Sequence, residues 1–140
     1  MKPKISLLTL GVRDMARSLA FYRDGLGLPT HNYEEGADVA FFALEGTWLA
    51  ITTSEKLAED AQIPAEGHGF SGVTIAHNEQ SKEKVDEVYA RAIAAGAKAV
   101  KKPQDVFWGG YSGYFADPDG HPWEAVVAPG IEVGDDGRVH

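Results

Sequence analysis

From Ile5 to Val12 the chain is almost continuously apolar (ISLLTLGV), the pattern of a β-strand. Asp14 then offers an N-cap side chain, and Met15, Leu19 and Tyr22 recur at helical spacing. A helix is therefore predicted up to the DGLGLP run, where Gly25 and Gly27 suit a C-terminal cap and Pro29 bars continuation. Val39 to Leu44 and Thr47 to Thr53 read as two strands joined across Glu45-Gly46. The polar, alanine-rich run that begins SEKLAEDAQIPAEG reads as a linker over residues 54–68 with one helical turn. After it the pattern restarts. Phe70 to Ala76 reads as a strand, Ser81 caps a helix with Val85, Val88, Tyr89 and Ala92 on one face, and Gly96 ends it. Ala97 to Lys101, Tyr111 to Ala116 and His121 to Val127 follow as strands.

The second half thus repeats the first at an offset of roughly seventy residues, which is a duplicated supersecondary unit rather than a solenoid of three or more copies. The expectation is one domain over residues 1–128, made of modules at about 3–53 and 69–128, followed by a surface tail at 129–140. The sharpest local signal is YFADPDGHPWEAVV. Asp117-Pro118-Asp119-Gly120 fits a type I turn, with an acceptor side chain first, proline second and glycine fourth. In the strand beyond it Trp123, Ala125 and Val127 share one face, and Glu124 and Val126 share the other.

The opening ISLLTLGVRDMARSLAFYRDGLGLP, the closing WGGYSGYFADPDGHPWEAVV and the duplicated β-α-β-β-β order resemble the vicinal oxygen chelate superfamily of glyoxalases, bleomycin-resistance proteins and extradiol dioxygenases. The resemblance covers residues 3–128. It implies an α+β fold of two βαβββ modules that form a curled mixed sheet around a cavity, assembled as a homodimer around a small-molecule ligand. Metal-dependent members hold a divalent ion with side chains from the first and last strands of each module. Glu124 matches the last of those places. The first falls at Leu7, which cannot ligate, and neither GTWLAITT nor GFSGVTIA supplies a strong ligand, although His68 stands just before the latter. A lone carboxylate does not offset the dehydration of a divalent cation, so no metal is favoured, and a bound one would rest on Glu124 and His68.

Charge and composition narrow the classes further. A formal charge of −8 disfavours nucleic acid and anionic membrane surfaces as partners. The absence of cysteine excludes disulfides, thiolate zinc sites and thiol nucleophiles. With no leader or bilayer-spanning run, a cytoplasmic protein is expected. No phosphate-binding glycine loop, GxSxG elbow or HExxH motif is present. The FWGGYSGYF run is either a twisted strand whose glycines permit close backbone approach or an aromatic wall, and Trp108, Ser112 and Tyr114 are its candidate ligand contacts beside Glu124. Glu124 itself is either a hydrogen-bonded structural carboxylate or a ligand contact or general base. His77 and His121 read as solvated, and Phe41, Trp48 and Tyr22 as core. The function expected is small-molecule binding or metal-independent chemistry in an aromatic-lined cavity, with a metal-dependent glyoxalase-like lyase or dioxygenase as the alternative.

Overall fold

The computed structural model describes residues 1–140 as two compact units, Met1–Gly69 and Phe70–His140. In the first unit β1 (Leu7–Val12) leads into α1 (Met15–Leu19), whose N-cap Asp14 accepts from the Arg17 amide at 3.1 Å. The helix does not continue in α form. Ala20–Gly25 widens into a π-helical turn, and this brings the adjacent Phe21 and Tyr22 both inward, 1 % and 0 % exposed, with their rings edge to face at 4.9 Å. β2 (Val39–Phe42) and β3 (Trp48–Thr53) complete a sheet of order β1-β3-β2, parallel between β1 and β3 and antiparallel between β3 and β2. Alternation splits its residues. Ala40, Phe42, Leu49 and Ile51 are buried with Leu19, Phe21 and Tyr22, whereas Leu7 and Phe41 are 39 % and 38 % exposed. Where the repeat predicts a further strand in this unit, only the isolated bridge Thr30↔Phe42 forms.

Several boundaries differ from the sequence reading, among them the strand expected over Ala97 to Lys101, which runs from Lys98 to Asp105, and two that change the element itself. The start of the expected linker is instead α2 (Ser54–Ala61), which Thr53 caps by accepting from the Lys56 amide at 3.4 Å. Gln62, left-handed at φ 57, ends it before Pro64 could interfere. The strand expected from Phe70 begins only at Ile75, because Gly69 and Gly72 take φ values of +81 and +84, which lie outside the extended region.

The second unit runs β4 (Ile75–Asn78), α3 (Lys82–Ala94), β5 (Lys98–Asp105), β6 (Tyr111–Ala116) and β7 (Pro122–Val127). Its sheet has the order β4-β7-β6-β5, with β4 and β7 parallel and the other pairs antiparallel. Ser81 caps α3 as predicted, accepting from the Lys84 amide at 3.2 Å. Val85, Tyr89 and Ala92 are its buried residues, and the Tyr89 ring meets Phe115 edge to face at 6.3 Å. Phe115 in turn stacks on Trp123. The tail is tied down as well as exposed: Val133 bridges Val139, and the Gln80 amide donates to the Val133 carbonyl at 3.1 Å. No helix is long and apolar enough to cross a membrane.

Candidate ligand-binding site

The Asp117 turn forms as the sequence implies and sets the register of everything around Glu124. Asp117, 2 % exposed, accepts the amides of Asp119 at 2.9 Å and His121 at 2.8 Å on one carboxylate oxygen, while its carbonyl accepts the Gly120 amide at 3.0 Å. The hairpin that follows pairs Tyr114 with Glu124 and Ser112 with Val126. Directly paired residues share a face, so Ser112 lies diagonally across from Glu124. The Ser112 hydroxyl, on a residue 2 % exposed, donates to Glu124 Oε1 at 2.6 Å. Tyr114 stands directly across the ladder from Glu124, and its pKa is raised by burial first, then by the Glu124 charge and hydrogen bonding to it. Tyr114 therefore stays a neutral donor. The result is a half-buried carboxylate bonded by the Ser112 hydroxyl, with Tyr114 beside it, on the face of the sheet away from Phe115, Trp123 and Ala125.

Gly113, between the two donors, is needed for space. A Cβ there would meet the Pro103 nitrogen and Cγ at 2.8 Å, so β5 can lie against β6 only with glycine at this point. Trp108 stands apart from the strand, in the turn between β5 and β6, with its ring folded over Gly110 and 43 % of the residue exposed. The structure thus joins Ser112, Tyr114 and Glu124, and gives Trp108 a packing partner of its own.

His68 is exposed and belongs to the first unit, and no group of three or more His, Cys, Asp or Glu residues is placed to hold a metal ion. The ladders explain why. The N-caps Asp14 and Ser81 put Thr9 and Ala76 at the same step of their first strands; across the parallel ladder Thr9 faces Ala50, and Ala76 faces Glu124. Alanine in β3 therefore occupies the counterpart of Glu124. With Leu7 and Thr9 in β1, Ala50 in β3 and Ala76 in β4, no imidazole or second carboxylate stands at these places, and the set does not fit a divalent ion of oxygen and nitrogen preference.

Two features escaped the sequence reading. On the outer side of the second unit, Tyr111 donates to Asp86 at 2.7 Å and lies under Lys82, whose ammonium meets Asp105 at 2.6 Å. The Asp86 hydrogen bond, aided by burial and the Asp86 charge, pushes the Tyr111 pKa up to about 12. On the first unit an open groove of about 780 Å³ is lined by Ile5, Leu7, Phe41, Trp48, His31 and Lys4, among others. Tyr22 is core as expected. Phe41 and Trp48 are not: they sit on the face of the sheet opposite Phe42, Leu49 and Ile51, Trp48 half-buried with its ring 4.8 Å from that of His31. The period-two pattern of VAFF and WLAI carried this signal, since each strand offers an apolar residue to both faces.

The fold and the turn-to-strand carboxylate define the class, and sequence comparison agrees with it. Residues 4–125 match the Glyoxalase/Bleomycin resistance protein/Dioxygenase superfamily, and the chain belongs to that superfamily. A glyoxalase-related enzyme from Fulvimarina pelagi has a crystal structure similar over 99 % of this chain and 97 % of that one, with a TM-score of 0.88 and 30 % identity. The uncharacterized protein YraH of Bacillus subtilis (strain 168) is 30 % identical over 120 residues, which cover 83 % of this chain and 91 % of that protein. The metallothiol transferase FosB of Lysinibacillus sphaericus (strain C3-41) is 28 % identical over 120 residues, covering 86 % and 79 %.

Proposed function

We infer that the protein is a metal-independent, small-molecule-binding member of the superfamily, working as a homodimer, in which Glu124 receives a donor group of the ligand. The observation that supports this most is the 2.6 Å bond from Ser112 to Glu124. A carboxylate already oriented by Ser112 and Tyr114 is a preorganised acceptor that needs no metal to fix it. With Tyr114 kept protonated, both hydroxyls act as donors, and the remaining lone pairs of Glu124 face the ligand's N–H or O–H. The same group can serve as a base toward an acidic proton of that ligand.

A metal-dependent transferase or lyase reading takes its motive from the name of the FosB relative. It requires imidazole or carboxylate ligands that Leu7, Thr9, Ala50 and Ala76 do not provide.

The test is metal content of the purified, untagged protein, together with the thermal midpoint in the presence of nickel, zinc, manganese or iron(II). A ligand that binds only the folded state raises that midpoint by mass action. The expected result is substoichiometric metal and no shift. Near-stoichiometric metal that is lost in Glu124→Ala overturns the reading.

A further inference from the structure

A second, smaller cavity of about 240 Å³ lies in the first unit between α1, the loop that leads into β2 and the start of α2. Its volume falls below the range of roughly 300–1,000 Å³ typical of sites for drug-sized ligands, so it suits a smaller molecule. Met15 and Leu19 of α1 and Ala37 of the loop supply its apolar surface, and Tyr33 adds a half-buried aromatic residue. Three charged side chains line it: Glu35, Asp38 and Lys56. The Lys56 ammonium pairs with Asp38 Oδ1, which cancels those two charges. Just outside the lining, the Arg23 guanidinium is held by Asp24 at 2.8 and 3.3 Å. That bond is the main cause of the raised Arg23 pKa, and Glu35 adds only a smaller influence through space. Each cation near the cavity therefore has its own carboxylate, and Glu35 is the surplus charge.

This balance sorts ligands by charge. An anion would meet Glu35 and find the Lys56 ammonium engaged. A neutral molecule would gain only from apolar burial. A cation with an apolar body gains the same burial, a charge partner at Glu35 and an aromatic neighbour in Tyr33, in a chain whose charge of −8 attracts cations overall. One aromatic residue does not make the cage that recognises a quaternary ammonium, whereas an amine in its ammonium form also donates N–H groups to a carboxylate. We propose that this cavity binds a small organic amine, with its ammonium at Glu35 and Tyr33 and its hydrocarbon body against Met15, Leu19 and Ala37. The site belongs to the first unit alone and does not depend on Glu124.

Three probes of similar size that differ in charge test it: 2-phenylethylammonium, 2-phenylethanol and phenylacetate. Each is titrated into the nitrogen-15-labelled protein at neutral pH and low ionic strength, and the amide shifts of Gly36, Ala37 and Lys56 report occupancy of this cavity. The expected order of affinity is amine, alcohol, acid. Glu35→Gln, in an exposed part of the loop, lowers the amine affinity about fivefold to the level of the alcohol and leaves the alcohol unchanged, the size expected of an exposed charge pair. Ala16→Phe, at an exposed helix position that lines the cavity, fills it and weakens amine and alcohol alike by about tenfold or more. Phenylacetate binding as tightly as the amine, no shifts at these amides at millimolar amine, or an amine affinity insensitive to both substitutions overturns the proposal. Shifts confined to the residues around Glu124 also overturn it, and they would leave the reading of the second unit standing.

Discussion

Ser112→Ala removes one oxygen atom and isolates the energy of the central polar contact. Ser112 is 2 % exposed and its hydroxyl donates to Glu124 Oε1 at 2.6 Å, a short bond to a charged acceptor. Hydrogen bonds to charged groups contribute about 1.5–3 kcal/mol net, and the carboxylate that remains keeps only the Tyr114 hydroxyl. Because Glu124 is half-buried, water can replace part of the lost donor, which places the expected loss near the lower end, about 1.5–2 kcal/mol. For a chain of this size that is a fall of about 4–8 °C in thermal midpoint. The assay is urea denaturation at neutral pH, followed by circular dichroism and tryptophan fluorescence, for wild type, Ser112→Ala, Glu124→Gln and the double variant. If the contact acts as described, the double variant is less destabilised than the sum of the singles by about 1 kcal/mol or more. Additive losses, with a coupling under about 0.3 kcal/mol, would refute the argument that Ser112 orients Glu124.

Two other expectations follow from single groups. Tyr89 buries its hydroxyl without a hydrogen-bond partner, so Tyr89→Phe should leave stability unchanged or raise it by up to about 1 kcal/mol in the same urea assay, and a loss beyond that would mean the hydroxyl is satisfied after all. Tyr111 has a folded-state pKa of about 12 against an ordinary 10.0, so the stability its neutral hydroxyl supplies through Asp86 is fully present below about pH 10 and is lost as the pH climbs toward 12. The stability gap between wild type and Tyr111→Phe should therefore be constant from pH 7 to 9 and close above pH 10; a gap that widens with pH contradicts the assignment.

The parts of this protein that sequence reading recovers are those where one residue's own chemistry sets the local structure. Asp14 and Ser81 cap the helices they precede, the Asp117 turn closes as its residues require, and β6 spans the predicted Tyr111–Ala116. Alternation alone placed Ser112 and Tyr114 on one face, and Glu124 opposite Trp123. What was missed depends on partners that are distant along the chain, or on backbone angles that side-chain patterns do not report. The delayed start of β4 comes from two glycines at positive φ, and FSGVTIA looks extended regardless. The π-helical turn keeps Phe21 and Tyr22 both buried, and a pattern counted at 3.6 residues per turn cannot register it. The groove was hidden because Phe41 and Trp48 are apolar, and an apolar residue in a two-faced strand reads as core until the sheet shows which face is filled.

The close approach of Pro103 to Gly113 has a consequence for how this protein behaves at high concentration. β5 is an edge strand, and along it stand Lys98, Lys101, Lys102 and Pro103, with register breaks between Ala99 and Lys101 and between Lys101 and Gln104. Charge, a missing amide and an irregular ladder each hinder a foreign strand from docking there. β4, at the other edge of the same sheet, is four residues long and has none of these guards, with Ile75, Ala76, His77 and Asn78 in regular register against β7. Replacing Pro103 with a residue that carries an amide proton would remove one guard from β5 and leave its lysines and its broken register to protect that edge.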